Sequence, residues 1–75
     1  MNNKYTFEEA IKSYKARSPV AQQLLRRIAA QRLICHGFEE VGSSDVNHEL
    51  CRMYNEYQGD WDQCYLDALE DYAGI

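Results

Sequence analysis

Hydrophobic and polar positions recur along this chain with the spacing of helices rather than strands. Phe7, Ala10, Ile11 and Tyr14 follow one another at three- and four-residue intervals behind Thr6. Thr6 makes a capping box with Glu9, so the spacing predicts a first helix over 7–17. Glu8 stands four residues before Lys12, the favourable order for an ion pair along that helix. Ser18 and Pro19 signal a second start, since Ser caps and Pro at the first helical position loses a donor that had no partner there. Gly37 supplies a left-handed stop, which sets the second helix at 19–36. Projected at the helical period, this segment gathers Val20, Ala21, Leu24, Leu25, Ile28 and Cys35 on one stripe, expected to face the core, with Gln22, Gln23, Arg26, Arg27 and Ala30 opposite. Leu33 and Ile34 fall off the stripe. Arg32 falls on it, where it is expected to snorkel or to pair with a carboxylate from the second half of the chain.

Residues 37–44 read as a loop, with Phe38 and Val41 expected to tuck against the core. Ser44 or Asp45 then caps a third helix over 45–58 whose apolar stripe is Val46, Leu50, Met53, Tyr54 and Tyr57, and Gly59 ends it. Asp60 with Gln63 forms a second capping box and opens a fourth helix over 61–73. That helix carries Trp61, Tyr65, Ala68, Leu69 and Tyr72 on one face and Asp67, Glu70 and Asp71 on the other. Four helices joined by short connections predict an all-α fold, a compact small bundle in a single domain over 1–75.

Length limits what such a fold can enclose. A chain of 75 residues and 8.8 kDa buries only about 63% of its unfolded surface, which leaves little interior for an enclosed active site. No apolar run reaches the length of a membrane span, and Met1 to Phe7 lacks the apolar centre of an export signal, so no membrane partner and a cytoplasmic location are expected. Three cysteines in such a chain point to reduced thiols rather than a disulfide framework.

Charge changes the picture more than composition does. Residues 1–36 carry a net +5 and residues 37–75 a net −9. The helix dipole accounts for Asp45, Asp60 and Asp62 near helix starts. It disfavours Asp67, Glu70 and Asp71, which sit in the middle and last turns. Those carboxylates are therefore expected either to meet the basic first half, within the molecule or in a homo-oligomer, or to face a basic surface on another protein. The second expectation makes the chain a non-enzymatic protein-interaction module. Its contact residues would be Asp67, Glu70, Asp71, Asp62, Glu56 and Glu40, with off-stripe tyrosines as rim anchors. Because basic surfaces often hold nucleic acid, its sharper form is an inhibitor or regulator that occupies such a site. In size, acidity and lack of a catalytic signature the chain is similar in kind to small phage-type inhibitors, such as anti-restriction and anti-CRISPR proteins and other DNA mimics, though no motif places it in a named family.

Three other chemistries compete. Arg26, Arg27, Gln22 and Gln23 on the second helix, joined by Lys12 and Lys15, are residue types that reach phosphates and base edges, and would make a nucleic-acid-binding regulator. The acidic half opposes that, and nucleic acid is not expected as a direct ligand. Cys35, His48, Cys51 and Cys64 are zinc-ligand types and together would make a small structural zinc protein, but the projection sets His48 and Cys51 away from the core side that holds Cys35, so no metal or other cofactor is expected. His48 with Cys51 also has the elements of a thiol beside a base, without an orienting third group or an oxyanion site. No catalytic residue is expected.

Overall fold

A computed structural model describes the backbone of residues 4–73 and the side chains of residues 4–70. Four helices follow in order: α1 (Phe7–Lys15), α2 (Pro19–Cys35), α3 (Ser43–Glu56) and α4 (Trp61–Ala73), with no strand among the described residues. The all-α bundle expected from the spacing is the fold observed.

Local chemistry explains most of the boundaries. At α1 the Thr6 hydroxyl accepts from the Glu9 N–H at 3.1 Å while Glu9 Oε1 accepts from the Thr6 N–H at 2.8 Å, completing the capping box. The helix stops at Lys15, two residues short of the expected end, since Ser18 precedes Pro19 and is driven into extended backbone. Ser18 Oγ then accepts from the Ala21 N–H at 3.2 Å and caps α2. At the far end of α2, Gly37 takes a φ of 99°, its N–H donates to the Ile34 carbonyl, and the Phe38 N–H donates to that of Leu33. This is a Schellman ending, which satisfies two carbonyls that the helix leaves bare.

The third helix begins two residues earlier than expected. Gly42 is its N-cap rather than Ser44 or Asp45, and Asp45 reaches back to accept from the Gly42 N–H at 3.0 Å. Its end repeats the Schellman pattern, with Gly59 N–H donating to the Tyr54 carbonyl and Gln58 N–H to that of Asn55. Here Gln58 rather than glycine takes the left-handed position, at φ 53°. Asp60 Oδ1 accepts from the N–H groups of Asp62 and Gln63 and so caps α4. Gln63 does not close the expected box: its side chain donates forward to Asp67 Oδ1 at 3.1 Å.

The core runs through Tyr14, Leu25, Ala29, Leu33, Val46, Leu50, Met53, Trp61 and Cys64. On α2 its buried line is Leu25, Ala29 and Leu33, about a third of a turn from the stripe that the large aliphatic residues mark. Leu33, read as off the stripe, is buried, while Val20, Leu24 and Cys35, read as core, are exposed. Ala29 is the cause. A pattern weighted by large side chains passes over alanine, yet a small residue is what lets α2 come close to α3, and α3 lies against both α1 and α2. Phe38 is likewise exposed rather than tucked in, while Val41 packs on the core.

α4 is held differently, by long side chains at its first turns. Trp61 is buried, 4.9 Å from the Tyr54 ring, and its Nε1–H donates to Ser13 Oγ at 3.0 Å. Tyr65 donates its hydroxyl to the Ala21 carbonyl at 3.3 Å, and the Arg17 guanidinium lies 5.6 Å from the Tyr65 ring centroid. Rings used as spacers hold α4 away from α2, which opens a groove between the two helices.

Candidate partner-docking surfaces

The basic first half and the acidic second half do meet, at two places. Arg17 Nη2 donates to Asp62 Oδ1 at 2.7 Å at the start of α4. Arg32 donates from Nε to Glu49 Oε2 at 2.9 Å and from Nη2 to Glu56 Oε1 at 2.6 Å, and Arg52 reaches the other Glu49 oxygen at 3.4 Å. Glu49 is 1% exposed, a buried carboxylate that the apolar reading of α3 had no place for. Arg32, expected to snorkel or pair, pairs. Although burial alone would lower its pKa, the hydrogen bonds it donates to Glu56 and Glu49 raise it. Arg17 is raised as well, chiefly by the Asp62 hydrogen bond and then by Tyr65.

These pairings sort the six candidate acidic contacts. Asp62 and Glu56 are held by Arg17 and Arg32 and do not belong to a free negative field. Asp67 is half-buried, accepts from Gln63, and lies near the Tyr57 phenol, whose pKa burial and this carboxylate push up to about 12. Glu70 and Glu40 are exposed, and among the described residues no salt bridge reaches Asp67, Glu70 or Glu40. The side chain of Asp71 lies outside the described residues. The single acidic face expected of the second half is thus divided, with Glu40 in the α2–α3 connection and Asp67 and Glu70 on α4.

The basic alternative is also reduced. Gln22 is not presented to solvent: its amide donates to the carbonyls of Lys15 at 3.2 Å and Arg17 at 2.8 Å and so closes the end of α1. Arg26 is half-buried, whereas Gln23, Arg27, Lys12 and Lys15 are exposed.

Cys35, His48, Cys51 and Cys64 do not converge. Cys35 is exposed, Cys51 half-buried and Cys64 buried, and no group of three or more His, Cys, Asp and Glu among the described residues is placed to hold a metal ion. His48 donates from Nδ1–H to the Ser44 carbonyl at 2.8 Å, and its ring packs 5.3 Å from that of Phe7. The Cys51 sulfur receives Asn55 Nδ2 at 3.7 Å rather than the imidazole. Burial pushes the Cys64 thiol up to about 11, so it is poor in thiolate at neutral pH.

One feature was not anticipated as a site. The α2–α4 groove, about 510 Å³, is lined by Val20, Leu24, Arg27 and Ile28 on one side and Tyr65 and Leu69 on the other. Val20 is 68% exposed, Leu24 48% and Leu69 62%, and Leu66, one turn before Glu70, is 54% exposed. The sequence signal for it was the apolar stripe of α2 itself, assigned to the core. No helix among the described residues is long and apolar enough to cross a membrane. No protein-family model, curated protein or solved structure matches the chain.

Proposed function

We propose that this chain is a non-catalytic protein-interaction module whose α4 carboxylates dock a basic surface of a partner protein. In its sharper form the partner surface is one that otherwise holds nucleic acid, and the module acts as its inhibitor or regulator. The observation that carries the reading is where the first half's arginines go. Arg17 and Arg32 are engaged by Asp62, Glu49 and Glu56, while no salt bridge among the described residues reaches Asp67 or Glu70. Asp67 has local partners in Gln63 and Tyr57, but exposed Glu70 in the last turns of α4 is opposed by the helix dipole and has no such partner among the described residues. Complementary charge across an interface would supply one, and it would speed encounter as well as select the partner.

The test is a titration with poly-lysine and with duplex DNA at two salt concentrations. Poly-lysine is expected to bind, more weakly at the higher salt, and binding should be lost in the charge-reversed Asp67→Arg/Glu70→Arg/Asp71→Arg variant. Unchanged binding by that variant overturns the reading. Duplex binding abolished by Arg26→Ala/Arg27→Ala would instead assign the chain to nucleic acid.

A further inference from the structure

We infer that α4 is a separately opening segment of the bundle, latched at its start to α1 and α2, which unfolds while the body of α1, α2 and α3 still stands. This goes beyond the docking of carboxylates and does not depend on it. α3 lies along both α1 and α2, whereas α4 makes no backbone approach of comparable extent to any of the three. Burial divides the chain at the same place. Of the nine core residues among those described, only Trp61 and Cys64 belong to α4, and both lie in its first turn. From Tyr65 through Glu70 no side chain is fully buried, and Leu66 and Leu69 are more than half exposed. α3 by contrast buries Val46, Glu49, Leu50 and Met53 along its length. A helix with few buried apolar contacts sits at the low end of the range of local stabilities within a fold.

The polar ties that hold α4 gather at one end. Trp61 Nε1–H donates to Ser13 Oγ at 3.0 Å and joins α4 to α1. Arg17 Nη2 donates to Asp62 Oδ1 at 2.7 Å, and its guanidinium lies over the Tyr65 ring. The Tyr65 hydroxyl donates to the Ala21 carbonyl in the first turn of α2. Beyond Tyr65 no salt bridge leaves the helix among the described residues. Asp67, the Tyr57 phenol in the preceding connection apart, bonds to Gln63 of its own helix. The latch is also a weak one. The side chains of Arg17 and Asp62 are 34% and 73% exposed, and ion pairs so open to solvent hold loosely. Unfolding of α4 therefore leaves the α2–α3 contact and the Arg32 network in place while it uncovers the Cys64 thiol.

Native-state amide hydrogen exchange of the intact chain, followed by NMR in low urea, tests this. The amides of Tyr65 through Leu69 are expected to share one protection factor, about tenfold or more below that of Leu50, with a smaller urea dependence. Two variants sort the opening. Arg17→Ala removes a tie present only in the closed state, so it should lower protection in α4 and at Leu50 alike, by about fivefold. Arg52→Gly, at an exposed position, weakens α3, which stands in both states. It should lower protection at Leu50 by about fivefold and leave α4 unchanged. Protection in α4 equal to that of Leu50, or an Arg52→Gly loss shared equally by α4, would make the four helices one cooperative unit and overturn the inference. Values graded along α4 toward its C-terminus would reduce the opening to fraying of a helix end and overturn it as well.

Discussion

Gln58 holds a backbone conformation that its side chain opposes. At φ 53° it fills the left-handed position of the α3 ending, where a Cβ crowds the following carbonyl and glycine is the usual occupant. Gln58→Gly should therefore stabilise the fold by about 1 kcal/mol in urea unfolding. Gly59→Ala should do the reverse, because at φ 83° an added Cβ would also lie 3.3 Å from the Tyr5 hydroxyl. Glu49 is a residue-scale problem of a different kind. It is buried between Arg32 and Arg52, so Arg32→Met leaves a carboxylate with one weak partner and is expected to cost about 3 kcal/mol. The double variant Arg32→Met/Glu49→Leu should recover most of that loss, since it removes the buried charge together with its partner. A double variant no more stable than Arg32→Met would show that the pair, rather than the relief of an unpaired charge, sets the local stability. The sequence placed Arg32 on an apolar stripe and expected a carboxylate for it. It gave no sign that Glu49 was the buried one, because one acidic residue within a polar run looks the same whether or not an arginine from another helix comes to meet it.

Helix boundaries were legible where the stop or start is made by one residue's own chemistry. Thr6 with Glu9, Ser18 with Pro19, Gly37 and Asp60 all act as their types suggest. The face of α2 was not legible, because it depends on Ala29 entering a core shared with α3 residues and on Tyr65 reaching from α4 to the Ala21 carbonyl. Both are properties of a pair of helices, which no single helix encodes. Burial of Tyr57 after α3 and of Cys64 on α4 sets a pH dependence. Cys64 titrates near 11 and Tyr57 near 12 in the folded chain, against ordinary values of 9.0 and 10.0, burial being the first cause of each shift. Raised values mean that the folded state keeps protons the unfolded chain gives up, so this stability is whole below about pH 9 and falls as pH rises through 11 and 12. Urea midpoints should be flat from pH 7 to 8.5 and decline from pH 9 upward, with a shallower decline in Cys64→Ala. A decline of equal slope in that variant would remove Cys64 from the account. Thiol labelling of the native chain follows the same burial order: Cys35 should react first and Cys64 only on unfolding.

At the scale of the whole molecule, small size and the open groove act together. A chain that buries only about 63% of its unfolded surface has little stability to spare, and the strongest apolar stripe of its longest helix lies outside its own core. A polar substitution on that stripe therefore shows whether the groove wall contributes to the stability of the bundle. Leu24→Glu should shift the melting temperature by no more than about 4 °C, since Leu24 is 48% exposed and a substitution at such a site changes stability by about 0.5 kcal/mol or less. A larger fall, measured by circular dichroism, would show that the groove wall is part of what holds the bundle together, whereas an unchanged melting temperature would separate its exposure from the stability of the fold.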